Sequence, residues 1–187
     1  MVAWSTLVVP ILVSAGLVFV ASSLIHMVLK WHAPDYRQLP NEDGVRAALQ
    51  KAGAAPGQYV IPYCKDSKEM SSPEMTKKYA EGPNFVMFLR PNGAIKLGPF
   101  LGKWVLYSVI VSALAAYIAR VALLPGANYL QVFRIVGFSA WLAYSWQGPA
   151  DSIWKGKPWS LTAREMVDGL IYGMLTGGAF GWLWPKA

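Results

Sequence analysis

The sequence predicts an all-α polytopic membrane protein with four transmembrane helices and a small α+β cytoplasmic loop domain. The chain of 187 residues is 55% hydrophobic and only 14% charged, whereas soluble domains carry about 25% charged residues. The charges are also unevenly distributed, because residues 104–119, 135–150 and 169–185 contain none. Uncharged blocks of this length, separated by charged loops, are typical of membrane-spanning helices.

Four segments approach the roughly 20 apolar residues that cross a bilayer. The first, within residues 1–29, is longer than the apolar core of a signal peptide and has no basic residue before it, so we interpret it as a retained span. Residues 30–99 follow as the cytoplasmic α+β loop. Residues 100–187 then form a three-helix transmembrane region, with spans at about 100–124, 129–146 and 161–184.

The basic residues predict how the spans are oriented. Most Lys and Arg residues lie in or beside the first and third loops, while Arg120, Arg134 and Lys186 are the basic residues near the opposite side. Loops rich in Lys and Arg stay in the cytoplasm. We therefore expect both termini outside, the loop 30–99 in the cytoplasm, and the chain in a bacterial inner membrane.

A glycine recurs at every fourth position of the last span, at Gly169, Gly173, Gly177 and Gly181. Glycine weakens a helix in water by about 1 kcal/mol relative to alanine. In lipid, small residues at this spacing allow two helix backbones to approach closely. The stripe therefore predicts helix packing, either inside the bundle, in a homo-oligomer, or against a larger membrane complex.

Three ionisable residues near the cytoplasmic ends of the spans are candidates for function, namely His26, Glu165 and Asp168. Ionisable groups inside a membrane are functional candidates by default. His26 and Asp168 lie at similar depth, so they meet if the first and fourth spans are neighbours. Such a pair could accept protons, or it could simply hold the two helices together, which is the simpler alternative. Glu165 forms a T-x-x-E pattern with Thr162, which predicts a capping box. The sequence as a whole predicts no cofactor and no metal site.

Four basic residues are candidate contacts for anions or lipid. Arg120 and Arg134 lie inside the outer ends of the second and third spans, whereas every acidic residue of the chain lies on the predicted inner side, out of their reach. Lipid phosphate, a bound anion or a carboxylate of a partner would compensate them. Lys155 and Lys157 lie in a Trp-rich segment that suits anionic lipid. Because the net charge of +7 is explained by such loops, no nucleic-acid partner is predicted.

The loop 30–99 has its own local signals. Asn41 and Ser72 are predicted to begin helices, and Ser72 is followed by Pro73 at the favoured first position. Residues 57–64 and 84–90 are predicted strands, and residues 94–98 a further, returning strand. Cys64 is the single cysteine of the chain, so no intrachain disulfide forms.

The chain resembles small bacterial inner-membrane proteins of unassigned function. The resemblance lies in three stretches that follow one another in this order: GPFLGKWVLYS, LPGANYLQVFRIVG and SIWKGKPWSLTAREMVDGLIYGMLTGGAFGWLWP. The resemblance implies a location in that membrane and no particular activity or site residue.

These observations favour a non-enzymatic accessory or scaffold subunit that packs through its fourth span and contacts anionic lipid. The alternative is a small carrier or channel that uses His26 and Asp168 on one side and Arg120 and Arg134 on the other. An enzyme is disfavoured, because the sequence offers no nucleophile with a matching base.

Overall fold

The computed structural model describes residues 1–186, which are mostly helical with one small sheet. Two compact units divide the chain. The first comprises Met1–Tyr36, Lys96–Ser152 and the chain from Lys157 onward, and the second comprises Arg37–Ile95 and Ile153–Gly156. The elements are α1 (Trp4–Ser23), α2 (Glu42–Lys51), β1 (Gly57–Ile61), α3 (Ser67–Met70), α4 (Pro73–Glu81), β2 (Phe85–Leu89), α5 (Leu97–Ala122), α6 (Tyr129–Ser145), α7 (Gln147–Lys155) and α8 (Trp159–Leu183).

The first unit is built from the four long helices α1, α5, α6 and α8. Helix α6 packs along α8 over the most extensive contact, while α1 lies against both α5 and α8. Helix α6 begins with a capping box, in which Asn128 and Gln131 each accept a hydrogen bond from the other's backbone. This box satisfies two of the amide groups that a helix leaves free at its start.

The interior of this unit combines small residues with larger apolar ones such as Leu7, Val18 and Phe180, and its exterior carries large apolar side chains. Ser14, Ser108, Ser112 and Thr176 are fully buried, and the Ser14 hydroxyl donates to that of Ser112 across the α1–α5 contact at 2.9 Å. Large apolar side chains point outward along the same helices, at Val8, Val9, Leu12, Val20, Leu106, Ile110, Leu114, Ile118, Leu130, Phe138, Leu170 and Met174. A water-soluble bundle instead presents charged and polar side chains on its outer face.

Two helices are long and apolar enough to cross a membrane, judged by length and composition. They are the continuous helix Trp4–Val28, with a mean hydropathy of 2.4, and α5, with 1.9. Helix α6 has 17 residues, and the first third of α8 carries Arg164, Glu165 and Asp168. Neither helix is among the two, so the predicted number of four spans goes beyond what length and composition establish.

The second unit contains the short sheet and its helices. Strands β1 and β2 pair antiparallel, with Gly57 opposite Leu89 and Ile61 opposite Phe85. Asn41 and Ser72 cap α2 and α4 with their side chains, as their sequence positions predict. The prediction of a returning strand at 94–98 is wrong, because residues 94–96 form no strand and α5 already begins at Leu97.

The segment between α6 and α8 also differs from the prediction of a loop. Residues Gln147–Lys155 form the nine-residue helix α7. Gly156 follows with a positive φ of 70°, a backbone conformation that glycine adopts without steric cost and that commonly ends a helix.

Candidate functional site

A cluster of charged and imidazole side chains lies where the chain leaves α1 and meets α8. A π-helical turn, Leu24–Val28, directly continues α1, and a 3₁₀ turn follows at Ala33–Asp35. These turns fold the chain back so that His32 lies between two carboxylates. The Nδ1 atom of His32 is 2.5 Å from Asp35, and its Nε2 atom is 2.7 Å from Asp168.

The charges of this cluster balance when His32 is protonated. Arg164, one turn before Asp168 on α8, donates a hydrogen bond from its guanidinium group to Asp35. One arginine and one imidazolium then face two carboxylates. The side chains of Asp35, Asp168 and His32 are 8%, 7% and 14% exposed, and at such depth an unpaired charge is costly, so the balance matters.

The pKa values of the two groups outside the long helices follow from this arrangement. Burial lowers the pKa of His32, but the hydrogen bonds to Asp35 and Asp168 outweigh it and raise the pKa above its ordinary value. The hydrogen bond from His32 lowers the pKa of Asp35, and the Arg164 guanidinium lowers it further against the opposing effect of burial. Both shifts favour the charged forms.

His26 completes the cluster. Its ring stacks on that of His32, with centroids 4.5 Å apart and planes 10° from parallel. Its Nδ1 atom is 2.9 Å from the Ser22 carbonyl oxygen, which can only accept, so Nδ1 carries the proton. The potential ligand atoms of His26, His32 and Asp168 all lie within 4.8 Å of one another.

The sequence placed His26 and Asp168 near each other but missed the residue that joins them. His32 lies outside the apolar run and was not considered, although it and Asp35 form an H-x-x-D pattern directly after the first span. Arg164 likewise has no local signal that it pairs with Asp35. His32 and Asp168 are 136 positions apart in the sequence, so no local sequence pattern indicates that they pair.

Glu165 does not cap α8. The helix begins at Trp159 with Pro158 before it and no side-chain cap, so the predicted capping box is wrong. Thr162 is already inside the helix, where its hydroxyl shares a 2.6 Å hydrogen bond with Ser152 of α7. Glu165 instead accepts a hydrogen bond from Lys157.

The four glycines of the stripe all face α6 within the same chain. A Cβ atom added to Gly177 would lie 2.6 Å from the Phe133 carbonyl oxygen, and one added to Gly173 would lie 2.7 Å from that of Gly137. The other two glycines face Ser145 and Tyr129 of α6 at 2.6 and 2.8 Å from the added atom, namely Gly169 and Gly181. The partner glycine, Gly137, was not anticipated because it stands alone on α6.

The basic candidates occupy four different settings. Arg120 donates through Nε to the Val2 carbonyl oxygen at 3.1 Å and lies over the Trp4 ring. Arg134 lines an apolar groove of about 590 Å³ on the outer face of α6 and α8. Lys157 pairs with Glu165. Lys155 lies over the Phe88 ring, 5.6 Å from its centroid.

An apolar groove of about 460 Å³ opens beside the charged cluster. Its lining is mostly apolar and also includes Lys30 and Asp168, the apolar members being Ile25, Leu29, Trp31, Val167 and Ile171. The cluster is therefore approached through an apolar mouth.

Comparison with known proteins gives no relative from which a role could be transferred. No protein-family model, no curated protein and no solved structure matches the chain significantly.

Proposed function

We propose that this chain is a multi-pass protein of the bacterial inner membrane, in which α1, α5, α6 and α8 all span the bilayer. The observation that carries the proposal is the exterior described above, with large aliphatic and aromatic residues exposed along the four helices and serine, threonine, alanine and glycine among the residues buried inside. Lipid is the solvent that stabilises such an exterior, and small residues are what membrane helices use to pack together. Helices α6 and α8 share this pattern with the two more apolar helices.

We further propose that the protein acts as a non-enzymatic accessory or scaffold subunit. The close backbone contact of α6 and α8 at Gly137, Gly173 and Gly177 makes a rigid pair. Because α6 already covers the glycine stripe, a partner or a second copy docks on another face. Basic side chains at the membrane boundary, such as Lys155 and Arg134, bind anionic headgroups in this proposal.

Membrane extraction and thiol labelling test the location and orientation. The protein should stay in the pellet after alkaline extraction and dissolve in detergent. Cys64, in the second unit, should react with an impermeant thiol reagent only after the inner membrane is permeabilised. Labelling of intact spheroplasts would place the loop outside and overturn the orientation. Cys64→Ser, which should remain unlabelled throughout, is the control.

Native mass spectrometry after gentle extraction tests the subunit role. A stoichiometric protein partner supports it. A chain that is always extracted alone, at several detergent concentrations, contradicts the accessory role while leaving the membrane location intact.

A small carrier or channel is the second candidate, and the buried Asp168 beside His32 is the observation that favours it. Intramembrane carboxylates paired with histidine occur in proton pathways. In proteoliposomes, Asp168→Asn should then abolish proton flux, whereas Glu165→Gln on the same helix should retain it. Equal flux in the two variants would remove Asp168 from any transport mechanism.

A further inference from the structure

The cluster of His26, His32 and Asp168 has the composition of a metal site. Two imidazoles and one carboxylate offer N and O ligands, and their candidate ligand atoms lie within 4.8 Å of one another. In a tetrahedral Zn²⁺ site with bonds of about 2.0–2.1 Å, neighbouring ligand atoms are about 3.3 Å apart. The ligand atoms must therefore draw closer together, through side-chain rotation, to close the cluster around one ion.

The far nitrogen of each histidine is already held in the way that metal ligands require. His32 donates its Nδ1 proton to Asp35, and His26 donates its own to the Ser22 carbonyl. Histidines that bind metals almost always donate the other ring N–H to a carboxylate or a backbone carbonyl, which fixes the tautomer. The Nε2 atom of His26 is thereby left for a ligand, that of His32 faces Asp168 at 2.7 Å, and Arg164 in turn fixes Asp35.

The backbone around His26 is a second, independent observation. His26 lies in the π-helical turn Leu24–Val28. Single π turns inside helices are uncommon and occur frequently at functional sites. Here the turn directs His26 onto His32, and the side chain is exposed, so its ring has room to move.

We propose that His26, His32 and Asp168 bind one divalent transition-metal ion of the Zn²⁺ class. The ion takes the place between His32 Nε2 and Asp168 that a proton occupies in the metal-free cluster. Imidazole and carboxylate ligands suit Zn²⁺, and the same set also accommodates Fe²⁺. Three protein ligands leave one position of a tetrahedral site open, toward the apolar groove beside Asp168. The site goes beyond the accessory role and does not depend on it.

Metal binding requires one rearrangement. The rings of His26 and His32 are nearly parallel, and a metal ion lies close to the plane of each imidazole that binds it. Two parallel rings cannot both point their lone pairs at one ion, so the His26 ring turns out of the stack. Loss of the stacked geometry is therefore a structural signature of the bound state.

The test is a metal titration of the full chain in detergent, purified with a tag that lacks histidine. The protein carries Cys64→Ser, so that the thiol cannot contribute, and is first stripped with a chelator. Zn²⁺ and Co²⁺ are the probes, and bound metal is counted by elemental analysis. The expected result is one ion per chain, with Co²⁺ absorption bands of a four-coordinate N/O site.

Four variants locate the ion. His26→Gln and Asp168→Asn each remove a ligand and should weaken Zn²⁺ binding by more than about 100-fold. Asp35→Asn removes only the hydrogen-bond partner of a ligand and should weaken it by roughly 10–100-fold. Glu165→Gln, one turn from Asp168, should bind like the parent protein. His26→Gln is decisive because an exposed side chain can be replaced without loss of the fold, which circular dichroism checks.

Two results would overturn the proposal. One is the absence of stoichiometric Zn²⁺ in the stripped and titrated parent protein. The other is binding of equal affinity in the parent protein and His26→Gln, because it would place the ion elsewhere. X-ray absorption lacking imidazole scattering would lead to the same conclusion. A chain that binds the ion without any protein partner still supports the metal site. The test of the metal site is therefore independent of the test of the accessory role.

Discussion

His32 shows how a single residue gains its properties from neighbours that are distant in sequence. An isolated imidazole is half-protonated at a pH of about 6.5. Between Asp35 and Asp168 the hydrogen bonds favour the imidazolium form and raise the pKa despite burial. Arg164 then balances the second carboxylate. The local chemistry depends on all four side chains, so removing one leaves a buried charge without its partner.

At this scale we predict that Asp35→Asn destabilises the protein. The substitution weakens hydrogen bonds to both His32 and Arg164, and hydrogen bonds to charged groups contribute about 1.5–3 kcal/mol each when buried. Because the Arg164 side chain is 31% exposed, a total loss of about 1–3 kcal/mol is expected. Thermal unfolding in detergent, followed by tryptophan fluorescence, measures it.

Asp43→Asn is the matched control for this prediction. The Asp43 side chain is 96% exposed, and its pair with Arg46 is 3.6 Å long, so the change should leave the midpoint within error. An Asp35→Asn protein that melts at the temperature of the Asp43→Asn protein would show that the cluster does not stabilise the fold.

At the scale of elements, the crossing of α6 and α8 decides how the bundle is built. The two helices touch backbone to backbone, since positions Gly173 and Gly177 leave no space for a Cβ beside the carbonyl oxygens of Gly137 and Phe133. Dispersion contacts over such a surface replace the hydrophobic drive that is missing in lipid. The spacing of the glycines in α8 was visible in the sequence, whereas the identity of the facing helix was not.

We predict that Gly177→Ala weakens this crossing and that Gly178→Ala does not. The added methyl at Gly177 would lie 2.6 Å from a carbonyl oxygen, so the helices must separate, whereas at Gly178 the nearest atom is the Tyr129 hydroxyl oxygen at 3.7 Å. Overpacking of this kind costs about 1–3 kcal/mol, and alanine is otherwise the better helix former. Comparison of unfolding midpoints in the same detergent tests the pair.

The two alanine variants separate close packing from a general effect of glycine content. Equal midpoints for both would contradict the close α6–α8 contact. A lowered midpoint for Gly178→Ala alone would place the tight face of α8 on the opposite side.

At the scale of the whole molecule, the first unit has an exterior of exposed apolar side chains, and polar side chains are buried among its helices. Ser14, Ser112 and Thr176 are buried and hydrogen-bonded, while Val9, Leu12 and Val20 of α1 are more than half exposed. In water such an exterior favours association and aggregation. In a bilayer the same exterior is solvated by acyl chains, which is the basis of the proposed four-span topology.

The prediction at this scale is that Leu12→Lys impairs membrane insertion. Leu12 is 57% exposed and lies near the middle of α1, where a lysine costs about 2.5–3.5 kcal/mol in the translocon scale. The membrane-integrated fraction of the variant, measured by glycosylation or protease protection in an insertion assay, should fall. Ile95→Lys, in the second unit and 77% exposed, should insert as the parent does.

The opposite outcome is equally informative. Lysine at an exposed position of a water-soluble protein raises its solubility and leaves its partition unchanged. A Leu12→Lys chain recovered in the soluble fraction at higher yield would therefore contradict the membrane proposal for α1.

The sequence by itself determined the helical class, the limits of the long apolar helices to within a few residues, the caps at Asn41 and Ser72, and the spacing of the glycines. These features depend on neighbours within about one turn or on average composition, so a local pattern carries them. The T-x-x-E pattern at Thr162 failed, although it too is local, because Pro158 permitted an earlier start of α8 and Ser152 engaged the threonine hydroxyl.

Only the tertiary structure decided which helix faces the glycines and which residue meets Asp168. The contact of His32 with Asp168 joins positions 136 residues apart, and it depends on a π turn and a 3₁₀ turn that reverse the chain after α1. Residues paired across such distances are brought together by packing of whole helices, and neither periodicity nor composition encodes that packing directly. The balanced charges of the cluster therefore emerge only once α1 and α8 lie side by side.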